Sequence, residues 1–238
     1  MEFITEVRQR VRWLAGEVAV VVGPATGAVR RRQWSRLWMG PAAAMIVACL
    51  SLAFRTRPGH IFIETYAITR PGEPLHMALL RLPLSMFAPA ALLPIWFAVL
   101  QVGVVYALAQ ALLGVRTTIL VAAAGHTLAT LSAHAWVLMG PPLGVGHRFD
   151  HFGDAGPSVA VVALIAYVAV ARRVSWLAVA IVAYHSIELV MFNALSQREH
   201  LIGAVTGAVA AAVTRLAQRD LGELDIVKLP KIPGEEVS

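Results

Sequence analysis

A chain of 238 residues that is 58% hydrophobic and only 14% charged carries more apolar surface than one water-soluble core of that size can hide, since soluble domains are about 25% charged. A bilayer accepts the excess, provided each crossing segment closes its own backbone hydrogen bonds as a helix. The formal charge of +6 comes from arginines set between apolar runs, with no basic strip interleaved with aromatics. That excludes a nucleic-acid groove, and the lone Cys49 excludes an intrachain disulfide or a thiolate metal cluster.

Residues 2–22 place Phe3, Ile4, Val7, Val11 and Leu14 at helical spacing, with Arg8, Arg10 and Arg12 before any long apolar run. This predicts an amphipathic helix, on an anionic membrane surface or in solvent, and not a signal peptide. A first span is expected over 37–54. Residues 55–80 are polar and rich in proline and glycine. The apolar run 82–113 is too long for one span of ~20 residues and too short for two. Pro83, Pro89 and Pro94 break its first part into a lateral or re-entrant segment leading into a span near 94–113. Further spans are expected at 118–140, 157–171, 174–194 and 200–215.

Six spans divide the 20 Lys and Arg residues into fourteen on the side of the termini and six on the other, which puts both termini in the cytoplasm. The expected organisation is an all-α, multi-pass membrane protein. Residues 1–35 form an interfacial segment, 36–216 a six-helix domain and 217–238 a disordered cytoplasmic tail.

Polar groups within spans mark candidate sites. Ser158 heads a fourth span of about 15 residues, or ~22 Å, short of a ~30 Å hydrocarbon core. It is therefore expected below the outer surface, where a serine beside a base can act as a nucleophile. His200 opens the sixth span from the same side. Gly203 and Gly207 form a small-xxx-small face below it that permits a close helix crossing. His147, Asp150 and His151 have metal-like spacing in a glycine-rich outer loop; His185 and Glu188 share a face of the fifth span, and His126 and His134 lie on the third. Polar residues are expected in such a loop, hydrogen-bonded structural roles are expected for His185, Glu188, His126 and His134, and no metal or cofactor is assigned.

Gly156-Pro157-Ser158 at the head of a short fourth span, with His200-x-x-Gly203-x-x-x-Gly207 in the sixth, resembles the rhomboid intramembrane serine proteases. Gln110-Ala-Leu-Leu-Gly114-Val-Arg116 is similar to that family's Glu-x-x-x-Gly-x-x-Arg turn, and 55–93 looks like its partly embedded first loop. The resemblance covers roughly residues 37–215. It implies a six-helix bundle, Ser158 as nucleophile, His200 as base and a membrane-anchored helix as substrate. Gly156, His134 and His151 are candidates for contacting the substrate or its oxyanion.

The chain departs from the family's pattern at several places. Val159 follows the serine where the family has glycine, and Val162 replaces an aromatic residue one turn below. Pro94 and Ala98 fall where oxyanion-binding His and Asn are usual. Glu199 replaces the alanine before the histidine, and the first-loop Trp-Arg pair is missing. Two other readings follow: a non-catalytic rhomboid-like protein that binds transmembrane segments, and a metal- or proton-linked membrane protein. Lipid is a partner in all three.

Overall fold

The computed structural model describes residues 2–89, 94–140, 153 and 156–227, and among these it contains helices and turns with no strand. The first helix, α1 (Glu2–Arg30), runs well past residue 22 and holds Pro24 within it. Its early apolar residues, Ile4, Val7, Val11 and Leu14, are exposed. Its end packs Ala25 and Ala28, with Leu37, against Ala107, Leu108 and Ala111.

A short 3-10 turn, Trp34–Arg36, leads into α2 (Met39–Ala53). The N–H groups that open a helix have no acceptor within it. Here the Gln110 side chain supplies one. Its Oε1 accepts from Met39 N–H at 2.8 Å, and its Nε2 donates to the Ser35 carbonyl at 2.9 Å. Gln110 thus pins the start of α2 to a helix 71 positions away in sequence.

After α2 the chain bends by 119° into α3 (Arg57–Tyr66). Thr56 caps α3, accepting from Gly59 N–H at 3.2 Å, and Pro58 sits at the helix start, where its missing N–H costs nothing. The loop to α4 (Leu75–Ser85) is knitted by arginines. Arg70 pairs with Glu64 and Glu73, and Arg81 pairs with Glu73 and donates to the Ile68 carbonyl at 2.9 Å. Pro83 lies inside α4, so the break in the apolar run begins after Ser85. Residues 90–93 of the expected lateral segment lie outside the described residues.

Helix α5 (Ile95–Met139) is interrupted at Gly114, whose φ of 79° and ψ of 168° are non-helical and suit a residue with no Cβ. The arms 95–113 and 115–139 correspond to the second and third expected spans. The remaining helices are α6 (Ser158–Ala171), α7 (Ser175–Phe192) and α8 (Leu195–Val227). Helix α8 passes the expected domain boundary at 216, and residues 228–238 lie outside the described residues.

Among the described residues, three helices are long and apolar enough to cross a membrane: α5, α7 and the part of α8 over Leu195–Arg219. The count is four if the bent pair α2 and α3 forms one span. Helix α6 has 14 residues, ~21 Å of rise. It is apolar on all sides and is the most enclosed element, with Ala160, Ala163, Leu164 and Ala169 fully buried. A helix without a polar face must be covered all round, and α5, α7 and α8 do this. The largest core joins Met39 and Val47 of α2, Val102, Tyr106 and Val121 of α5, Leu164 and Tyr167 of α6, and Ala211 of α8. By contrast α7 is peripheral, with Val179, Ile187, Val190 and Phe192 exposed.

Small residues set how closely these helices approach. A Cβ on Gly203 would lie 2.9 Å from Val159 Cγ1 and 3.0 Å from the Val159 carbonyl oxygen; one on Gly207 would strike the Ala163 carbonyl. From the other side Gly125 of α5 faces the Ala163 methyl. Ala163 is thus held between two glycines, and α6 lies close against both α5 and α8. On the far side of α5, Gly40 of α2 lies against the Gly103 carbonyl and Ala107.

Candidate active site

Ser158 is the first residue of α6, after Pro157 at its N-cap. Proline fixes φ and lacks an N–H that would have no partner there. Gly156 has φ 134°, which a residue with a Cβ rarely adopts. Its N–H donates to the Ser85 carbonyl at 2.9 Å, so the head of α6 is tied to the end of α4. Ser85 itself is fully buried, and its hydroxyl lies 2.7 Å from His126 Nε2. A chain of contacts therefore runs from α5 through α4 to the turn that presents Ser158.

The glycine-face crossing brings α8 onto that turn. His200 Nε2 lies 2.9 Å from Ser158 Oγ across 42 positions of sequence. Gly203 and Gly207 continue below His200 on the same face, against Val159 and Ala163. Val162 packs with Ala166 and Ala204, and the ring facing His200 comes from α7. The His185 centroid is 5.1 Å from that of His200, with the planes at 54°. His185 Nδ1 lies 2.9 Å from Glu188 Oε2, and the Tyr184 hydroxyl donates to Glu188 Oε1 at 2.9 Å. The spacing of His185 and Glu188 made their shared face legible in the sequence. It did not show that this face turns toward His200.

Oxyanion stabilisation needs donors that are free to point at the reacting oxygen. The Gly156 N–H is engaged with Ser85. His134 Nδ1 lies 3.0 Å from the Thr130 carbonyl, which can only accept, so Nδ1 donates there and only Nε2 is left to the ring. That Nε2 is buried and has no hydrogen-bond partner among the described residues. His151, like His147, Asp150 and Asp154, lies outside the described residues. Backbone N–H groups remain at the head of α6, where residues 158–160 have no acceptor within the helix. Glu199 is almost fully buried beside His200.

The opposite end of the bundle is finished by arginines that cap carbonyls. Arg172 donates to the Leu112 carbonyl at 2.6 Å, at the end of the first arm of α5, and Arg215 donates to the Val170 carbonyl at 3.1 Å. Cations at helix C-termini are favoured by the exposed carbonyls there.

Comparisons with protein-family models, with curated proteins and with solved structures return no match for this chain.

Proposed function

We propose that this chain is a rhomboid-like intramembrane serine endopeptidase, with six spans and both termini in the cytoplasm. The observation that carries this reading is the 2.9 Å hydrogen bond between Ser158 Oγ and His200 Nε2. It joins a potential nucleophile to a potential base at the head of a helix too short to fill a bilayer. The break at Gly114 supports counting α5 as two spans.

In this mechanism the neutral His200 ring takes the Ser158 proton as Oγ attacks the scissile carbonyl carbon. It then gives that proton to the leaving amine, and water hydrolyses the acyl-enzyme by the same route. The N–H groups at the head of α6 face the developing oxyanion. Membrane-anchored helices are the substrate class. Because α7 is largely exposed and contributes the His185 ring beside His200, we place substrate entry along it.

Side-chain oxyanion donors are the weak part of this machinery. Removing one donor typically costs ~10²–10³ in rate. The engagement of Gly156 and His134 elsewhere favours a second reading, a rhomboid-like protein that binds transmembrane segments without cleaving them.

The deciding experiment is labelling of purified protein with a fluorophosphonate, alongside cleavage of a model transmembrane substrate. Labelling lost in Ser158→Ala and slow cleavage support the protease. No labelling and no cleavage, with the substrate helix still bound, support the binding protein.

A further inference from the structure

We infer that His185, Glu188 and His200 form a binding site for a divalent transition-metal ion such as Zn²⁺, and that the ion blocks the Ser158–His200 pair when it binds. One ligand atom from each of the three residues lies within 4.8 Å of the other two. Tetrahedral zinc, with bonds of ~2.0–2.2 Å, separates its ligands by ~3.3 Å. His185 Nδ1 and Glu188 Oε2 are already 2.9 Å apart, so the ion replaces the proton they share, with small side-chain rotations. His200 is the third ligand. Its Nε2 is held by Ser158, which leaves Nδ1. That atom is buried and has no hydrogen-bond partner among the described residues, as expected of a ligand nitrogen awaiting an ion.

The surroundings fit the ion's needs. The Tyr184 hydroxyl holds the second carboxylate oxygen of Glu188, the kind of outer contact that orients a ligating carboxylate. Glu188 is 21% exposed while His185 is 6% exposed, so the site opens outward past α7, and water completes the coordination. Two imidazoles and one carboxylate suit zinc or cobalt rather than calcium or magnesium.

The inhibitory consequence rests on the protease reading. A neutral imidazole has one proton. When Nδ1 gives its lone pair to the metal, the proton sits on Nε2 and that nitrogen donates to Ser158 Oγ. It then has no lone pair with which to accept the serine proton. No electron transfer is involved, and removing the ion restores the base.

The test uses the full chain in detergent micelles, stripped of metal. Cobalt(II) titration is expected to give one equivalent with visible absorption of a four-coordinate nitrogen–oxygen site, displaced by Zn²⁺. Glu188→Gln and His185→Ala should each weaken binding by more than about tenfold, and Tyr184→Phe by ~10-fold. Ser158→Ala should still bind. Circular dichroism and elution volume confirm that each variant is folded. Cobalt binding that is unchanged in both Glu188→Gln and Tyr184→Phe, or no cobalt binding at all, overturns the site. One equivalent of Zn²⁺ should abolish fluorophosphonate labelling of the wild type and leave Glu188→Gln labelled. Labelling unaffected by bound zinc overturns the inhibition. Absent labelling even in metal-free protein counts against the protease, and the cobalt result then decides the metal site by itself.

Discussion

Ser158 Oγ and His200 Nε2 are 2.9 Å apart because Gly203, one turn below His200, allows α8 to rest on the backbone of Val159. The hydrogen bond depends on helix packing, and the two should fail together.

Replacing Gly203 with Leu is expected to separate α6 from α8. Overpacking typically costs about 1–3 kcal/mol, and the contact here includes a backbone carbonyl that cannot rotate away. Thermal unfolding in detergent should show a lowered midpoint, and fluorophosphonate labelling should fall with it. A Gly203→Leu protein with an unchanged midpoint would contradict the crossing.

His200→Ala should reduce labelling and any peptidase activity by ~10²–10⁴, the usual contribution of a positioned base, while unfolding shifts far less than in the Gly203 variant. If labelling of Ser158 persists at the wild-type rate without His200, the serine is activated by another group or is not activated.

Gln110 uses both ends of its amide, accepting from Met39 N–H and donating to the Ser35 carbonyl. Gln110→Leu leaves two backbone groups without their side-chain partner, each costing about 1–3 kcal/mol if it stays buried. Gln110→Glu should lie between the two, since a carboxylate accepts from Met39 but, when ionised, cannot donate to Ser35. Unfolding midpoints in the order Gln, Glu, Leu are the expected result; a Leu variant as stable as wild type would show that these bonds are not needed.

Ser85→Ala takes the hydroxyl from His126 Nε2 in a nearly dry setting and should destabilise by about 1–3 kcal/mol. The Ser85 carbonyl still holds Gly156, so Ser158 labelling should survive at low temperature. Selective loss of labelling with no change in unfolding would instead give Ser85 a direct role at the site.

Cysteine accessibility should report positions 146 and 197 on the outside and positions 116, 173 and 230 on the inside. The reason is the arginine asymmetry along the chain. A cytoplasmic position 146 would overturn the six-span count and place the head of α6 on the wrong side.

Much of this protein is determined by the order of its residues alone. Hydropathy is a local property, so runs of apolar residues mark α2, both arms of α5, α6, α7 and α8 without reference to their neighbours. Gly114, Pro58 and Pro157 punctuate the chain through their own backbone restrictions, and Gly203 and Gly207 announce a close crossing because no side chain fills that face. The tertiary structure decided which helix fills it and what meets there. Ser158 reaches His200 through a crossing whose angle and depth depend on Val159 and Ala163 opposite. His185 and Glu188 turn toward His200 only because α7 lies beside α8. The N–H of Gly156 and the Nδ1–H of His134, which look available in sequence, are taken by carbonyls of Ser85 and Thr130. Hydrogen bonds act over about 3 Å, and spacing along a helix says which residues share a face but not what that face will touch.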